Sequence, residues 1–494
     1  MARNLAFVGA LLLAVITLVS GLSALVGKKV PRKSAQTATT LALPQESESE
    51  RARREFEAML NREYPLHGVV TGIQLTVRKE PSSDSIPMGW LRLGGHVRLA
   101  RDPLIRPDCQ SGWYRIHPKG HVCAGAGLSI GENITASEAL IRAAKRDSVL
   151  PYRYLFVKEP QTPEWYQLPS REEQRAAEAH ALRYLEFLRQ GKMELAERLR
   201  AGKLPNEPPP LPQVARFLEH GFFVASNGVE IRAKRRFVRT IRGTYVKEAQ
   251  LEERQGSSFA GVELGQGIGL PQAWVIRTGR PLMLEVQGES MRLIEDPSLP
   301  PIPRLTRVEW LRRQRIGGQI YHVIRAANGE ERYLRDWYVA VAERIPPPRR
   351  IAQDEVWVHV DLSSQTLVVY RGSEPIYATI VSTGTPNHET PTGEFTIRRK
   401  MVSDTMADSG GATGEDNYRI EEVPWTQYFE KSIALHGAFW HSQFGIPRSH
   451  GCVNLSPKDA RWLFEHTLPE VPEGWHGVST ESTGFRGSKV IVTP

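Results

Sequence analysis

The feature that most restricts the fold of this chain is a period of two. From Tyr64 onward, short runs alternate apolar and polar residues, as in Leu75-Thr76-Val77-Arg78, Trp113-Tyr114-Arg115-Ile116 and Trp274-Val275-Ile276-Arg277. Gly, Pro, Ser or Asp breaks each run. Successive side chains of a strand face opposite sides, so such runs are expected as short strands with one face buried. One stretch departs from this: Ala177, Ala181, Tyr184, Leu185, Leu188, Leu195 and Leu199, within Arg171 to Gly202, recur at near-helical spacing. The expected fold class is therefore mainly β and multidomain, α+β overall.

The chain has 494 residues, 40% of them hydrophobic and 24% charged, which suits several packed domains rather than a disordered chain. Composition shifts place the boundaries. Leu5 to Val26 is uncharged and almost wholly apolar, so residues 1–27 are expected to be a transmembrane anchor or a signal peptide, the anchor being preferred. Lys28, Lys29, Arg32 and Lys33 would favour the cytoplasmic side for the residues beyond them, while the cysteines and the thiol chemistry favour export. Residues 28–62 are read as a tether ending in a short charged helix, 63–131 as a small β module, and 132–213 as a helical spacer with a Pro-rich linker. Residues 214–345 are read as one or two further β modules, with Asn328-Gly329 as a hairpin turn. After Pro346-Pro347-Pro348, residues 353–494 form a C-terminal β-rich domain.

A net charge of +9 suits a polyanionic surface. The basic residues are scattered and no finger or helix-turn-helix gathers them, so nucleic acid is not expected as a partner. Three cysteines fit one disulfide, Cys109 with Cys123, and one free thiol, Cys452; the bland alternative is two unrelated buried thiols.

Chemistry concentrates in Leu435 to Ser456, LHGAFWHSQFGIPRSHGCVNLS. A thiol attacks only as thiolate, and its ordinary pKa of about 8.5 calls for a neighbouring base. His436, His441 and His450 lie within this run. Ser456-Pro457-Lys458-Asp459 reads as a helix start, with an N-cap, Pro at N1 and a carboxylate at N3, so the loop carrying Cys452 is expected to lead into a helix N-terminus able to help hold an oxyanion.

The run His436-Gly437, a spacer, then Ser449-His450-Gly451-Cys452-Val453-Asn454 resembles the signature of the L,D-transpeptidase (YkuD-like) catalytic domain. Thr390-Pro391-Thr392-Gly393-Glu394-Phe395 resembles a second element of that family, and the resemblance covers roughly Val356 to Pro472. It implies a cofactor-free acyl transfer on peptidoglycan stem peptides. Cys452 would be the nucleophile and His436 its base, His450 and Ser449 would orient the loop, and the Gly451 and Cys452 amides would form the oxyanion hole. Gly437 would let substrate approach, Asn454 would hold the turn, and Tyr418, Trp425 and Tyr428 would line the peptide groove. The resemblance also implies covalent inhibition by a carbapenem and an envelope location: a periplasmic catalytic domain anchored in the inner membrane. Alternatives are an L,D-carboxypeptidase using water, a non-catalytic wall-binding protein, and a zinc site built from His436, His441, His450 and Cys452; no metal is expected. Arg398 to Lys431, long and Gly-rich, is expected as a lid.

The order of strands in the 63–131 module resembles bacterial SH3-like barrels, through Val77-Arg78, the Gly94-Gly95 turn, Trp113 and Gly120-His121-Val122. That resemblance implies a wall-peptide binder or spacer, with Trp113 in the core.

Overall fold

The computed structural model describes residues 47–125, 127–133, 143–288, 290–407, 419–481 and 484–494. The expected membrane segment 1–27, Tyr418 and part of the expected lid lie outside these. Among the described residues no helix is long and apolar enough to cross a membrane. The short charged helix expected at the end of the tether runs over Glu48–Glu63. Ser47 starts it by a reciprocal cap, its Oγ accepting from the Glu50 amide at 3.3 Å while its own amide donates to Glu50 Oε2 at 2.8 Å.

Residues Glu55–Pro494 form one compact unit. Its first module pairs Leu66–Val70 with both His96–Leu99 and Leu128–Gly131, and Gln74–Arg78 with Pro87–Arg92 and His121–Cys123. Val70, Val77, Leu91, Val97, Leu99, Ile116 and Val122 fill its core, and Trp113 is buried at its edge. Cys109 and Cys123 are joined by a disulfide, with Cα atoms 5.9 Å apart. The expected barrel is not a closed ring: among the described residues no backbone pairing joins Leu128–Gly131 to Pro87–Arg92.

The helical spacer is also corrected. Arg153–Val157 and Thr162–Trp165 are strands of one sheet with Val214–Leu218, Phe223–Arg232, Arg235–Thr240, Tyr245–Lys247 and Leu251–Arg254. The helices Arg171–Arg189 and Met193–Arg200 are an insertion between two strands of that sheet. Ser170 and Glu173 close a capping box at the first helix, and Tyr184, Phe187, Ala196 and Leu199 pack the pair together. The four-residue strand Thr162–Trp165, with Pro163 inside it, gave the sequence no period to show, because its order comes from pairing with residues far along the chain.

Gln272–Val275 and the strands from Leu282 to Ala342 make a third, seven-stranded antiparallel sheet. Gly329, at φ 82°, turns the predicted hairpin between Gln319–Arg325 and Glu331–Arg335.

The C-terminal domain packs two sheets against each other. One runs Glu374–Ile380, Thr366–Arg371, Val356–Asp361, Lys489–Thr493, Gly393–Thr396, and Val262–Glu263 from the third module's approach adds to its edge. The other runs Gly477–Ser479, Arg399–Ala407, Arg419–Glu430, Ile433–Gly437, Val453–Leu455, the last pair parallel. Val358, Val360, Leu367, Val369, Leu435, Val453 and Leu455 meet between them, with Ala460, Leu463 and Phe464 of helix Pro457–His466. Leu463→Ala would cost about 2–5 kcal/mol by the usual cavity penalty.

Two buried carboxylates fasten the accessory modules to this domain. Asp459 accepts from the Gly261 amide at 2.7 Å, Tyr377 Oη at 2.7 Å and Thr379 Oγ1 at 2.6 Å. Glu422 is paired with Arg92 of the first module and accepts from Ser403 Oγ at 2.7 Å, while its carbonyl accepts from Tyr154 of the helix-bearing module. Strand pairing adds to the seam, with Trp90 opposite Gly477 and Phe223 opposite Ile420.

Candidate active site

Ile433–Gly437 and Val453–Leu455 lie side by side and parallel, with Leu435 opposite Val453 and His436 opposite Asn454. Cys452, one residue before the second strand, therefore sits beside Ala434, whose amide donates to the sulfur. His436 is two residues further along, on the same face as position 434 and roughly 7 Å along the strand. Both side chains line one cavity of about 820 Å³.

The loop before Cys452 is held from three directions. Gly451 has φ +108°, a backbone conformation that favours glycine, and a Cβ there would stand 2.7 Å from Ile433 Cδ1, which would have to shift. Thr390 Oγ1 donates to the Gly451 carbonyl at 2.8 Å and accepts from the Gly384 amide at 3.0 Å, which is what the second predicted motif does in the fold. Ser449 Oγ donates to the Cys452 carbonyl and accepts from the Gly451 amide at 3.2 Å. His450 is exposed and stands edge-on to His388, ring centroids 4.6 Å apart.

Electrostatics make the resting pair neutral. Burial pushes the Cys452 thiol up to about 11, against the Ala434 amide, which pulls it down. Burial pushes His436 down to about 4, against its contact with the Gly437 carbonyl. That contact, Nδ1 to O at 3.4 Å, assigns the proton to Nδ1 and leaves Nε2 as the ring's acceptor. Trp440 stacks on the ring at 5.7 Å between centroids. Cys452 Sγ itself faces the Ser432 carbonyl at 3.8 Å, so the thiol and the imidazole share a cavity without a direct hydrogen bond.

Several sequence expectations change. The Gly451 amide is occupied by Ser449 Oγ, which leaves the Cys452 amide for an oxyanion. The helix N-terminus does not reach the site: three strand residues, about 10 Å, separate it from Cys452, and Ser456 Oγ already takes the Asp459 amide. Gly437 does not line the cavity; its missing side chain admits Pro424 Cγ and Ala460 Cβ, at 3.1 and 3.3 Å from where a Cβ would be. Trp425 is buried away from the cavity, donating to the Val149 carbonyl at 2.7 Å and packing on Phe464. Tyr428 does line it, with its hydroxyl on Asp404 Oδ2 at 2.9 Å. Asn454 lines it too, donating from Nδ2 to His441 Nε2 at 3.0 Å.

The sequence did not single out His388, Arg399, Lys431 or Arg448, all of which line the cavity, nor Gly221 and Phe223 from the helix-bearing module. His388 lies two residues before the Thr390 motif and could have been found there; Phe223 carried no signal. Phe439 fixes its position, edge-on to Phe223 at 5.2 Å and stacked on Tyr154 at 3.9 Å. Among the described residues no group of three or more His, Cys, Asp or Glu is disposed to hold a metal ion.

Residues 355–492 match the YkuD family model, described as the L,D-transpeptidase catalytic domain. Among curated proteins the chain is similar to L,D-transpeptidase 1 of Mycobacterium tuberculosis, 30% identical over 109 residues, covering 21% of this chain and 43% of that protein. It is also similar to the putative L,D-transpeptidase YciB of Bacillus subtilis, 27% identical over 132 residues, covering 24% of this chain and 64% of that protein. The chain thus spans less than two thirds of either relative. Similar solved structures include an L,D-transpeptidase from Stackebrandtia nassauensis, at 26% identity over 29% of this chain and 58% of that one, with a TM-score of 0.22. Another is the LD transpeptidase LdtMt1 in complex with imipenem, at 19% identity over 38% of this chain and 78% of that one, with a TM-score of 0.24. By its motifs and by the family model and curated relatives, the segment 355–492 is similar to the L,D-transpeptidase catalytic domain of the YkuD family.

Proposed function

We propose that the chain is a cysteine-dependent L,D-transpeptidase acting on peptidoglycan stem tetrapeptides. The observation that carries this reading is that Cys452, the one free cysteine, and His436 line a single cavity from adjacent parallel strands. Rotation of the thiol away from the Ser432 carbonyl brings it toward the His436 ring. Nε2 takes the thiol proton, and the sulfur bonds to the carbonyl carbon of the third stem residue. The Cys452 amide donates to the oxygen as it gains charge. Collapse breaks the bond to D-alanine, whose amine leaves with the proton from His436, and a thioester remains. An amine of a second stem then gives its proton to His436 and displaces the sulfur, forming a 3-3 cross-link. Water in place of that amine gives the carboxypeptidase outcome.

The neutral resting pair fits a nucleophile made only when substrate is bound, since a buried ion pair would carry a desolvation cost throughout the cycle. The test is incubation of purified muropeptides with the protein and with Cys452→Ala, followed by mass spectrometry of the products. Dimers formed by the parent and absent with the variant are expected; dimers formed equally by both would remove the claim. Trimmed tripeptide without dimers would assign water as the acceptor. A carbapenem, by the same chemistry, is expected to add its mass to the parent and not to Cys452→Ala. An envelope location, with the segment 1–27 as anchor, is part of this proposal, and fractionation of cells into soluble and membrane-bound material tests it.

A further inference from the structure

A second cavity, of about 210 Å³, opens beside the first and shares Arg399, Tyr428 and Lys431 with it. Its other side comes from the first accessory module, through Ile86, Pro87 and Trp90. Among the described residues, the two cavities together are lined by the cations Arg398, Arg399, Lys431 and Arg448 and by one carboxylate, Glu481. The nearby Glu430 and Asp404 pair only loosely: Arg398 and Lys431 each stand 4.0 Å from Glu430, and Arg399 stands 3.7 Å from Asp404. At those separations and exposures such pairs contribute little, so the cations keep most of their capacity for another anion.

Arg399 is the built element of this groove. Its guanidinium carbon lies over two aromatic rings, 4.1 Å from the Tyr428 ring centroid and 5.9 Å from that of Trp90. Its Nε is buried without a hydrogen-bond partner. A guanidinium held over aromatic rings in this way is suited to a carboxylate, which it can meet with two parallel hydrogen bonds.

We propose that the groove between Pro87–Arg92 and the Arg399–Tyr428–Lys431 face is a second peptide subsite, continuous with the Cys452 cleft, that recognises a carboxylate on a stem peptide. It rests on the transpeptidase reading for the identity of the peptide. It assigns Trp90, on an accessory module, a part in substrate recognition: its face covers the apolar part of the peptide while Arg399, Lys431 and Arg398 meet the carboxylate.

The test uses the full chain carrying Cys452→Ala, so that nothing turns over, and calorimetric binding of a synthetic stem tetrapeptide. Two further peptides carry a carboxamide in place of the C-terminal carboxylate or of the internal one. One of the two amidations is expected to weaken binding about tenfold, the size of one charge-assisted hydrogen-bonded contact, and which of them does so identifies the carboxylate. Arg399→Gln should weaken the unmodified peptide by a similar factor and leave the weakened carboxamide unchanged. Lys431→Gln, at a side chain 88% exposed and so without effect on folding, should show a smaller loss with the same selectivity. Absence of binding by the parent, equal binding of all three peptides, or equal losses for acid and amide in both variants would overturn the subsite. Muropeptide turnover by the unmodified chain is read separately. Charge-selective binding without turnover would sink the transpeptidase reading and keep the groove, and turnover without charge selectivity would do the reverse.

Discussion

The two walls of the cleft differ in origin. The wall that carries Cys452, His436 and Ser449 comes from one continuous run of sequence, folded into two parallel strands and the loop between them. The facing wall takes Gly221 and Phe223 from the helix-bearing module, and the groove beyond it takes Trp90 from the first module. The first wall is fixed by contacts within its own domain: Ser449 to its own loop, and Thr390 to Gly451 from 61 residues upstream. The second is fixed by seams between modules, Arg92 on Glu422 and the stack of Tyr154 on Phe439. Changes in the first wall should therefore act on the chemical step, and changes in the second on stability and substrate affinity.

The largest effect that separates the two walls is expected from His436→Gln. It should lower kcat by about 10²–10⁴-fold, the usual contribution of a general base, with KM nearly unchanged. A loss confined to KM would put His436 with the second wall and break the distinction.

Arg92→Ala tests the seam. It leaves the Glu422 carboxylate buried without its cation, which should cost about 3–5 kcal/mol at pH 8 in denaturant unfolding. Burial already holds Glu422 above the usual carboxylate range, with Arg92 and Ser403 pulling it back. A raised folded-state value means that stability is full below the unfolded pKa and falls as pH rises through the folded one. The variant's deficit should accordingly shrink near pH 4, and an equal deficit at pH 4 and pH 8 would contradict the ionic account.

Gly451→Ala sharpens the first wall. The positive φ and the approach to Ile433 should cost about 1–3 kcal/mol and displace the loop, seen as a fall in kcat with a small change in melting temperature. The smallest effect is the pH response of the resting thiol. With Cys452 held up at about 11, the thiolate fraction at pH 8 is on the order of 10⁻³. Alkylation by iodoacetamide should then rise about tenfold per pH unit up to the folded pKa. It should show no step near pH 6.5, because His436 stays neutral above about 4. A plateau already reached at pH 8 would mean a preformed thiolate.

The catalytic run was legible because its constraints are local. Gly451 is glycine because φ is positive there, and Ser456-Pro457 is a helix start because Ser456 Oγ accepts the Asp459 amide. Trp425 and Gly437 were misplaced for the opposite reason. An aromatic ring near a site and a glycine beside a histidine suit substrate contact as well as packing, and the choice was made by Val149, Pro424 and Ala460, none of them adjacent in sequence to the residue they settle. The helical insertion was visible as helix and not as insertion, since strand pairing across it leaves no mark in its own periodicity.

By itself the sequence determined the strand-rich class and the order of groups from His436 to Cys452, because each depends on spacing along the chain, and it left the Cys109–Cys123 pairing as one of two readings, which the structure resolves as a disulfide. Tertiary structure decided that Ser449 takes the Gly451 amide, that thiol and imidazole both rest uncharged, and that accessory modules complete the cleft. Burial and long-range pairing set these, and both depend on which distant segments come to lie against the motif.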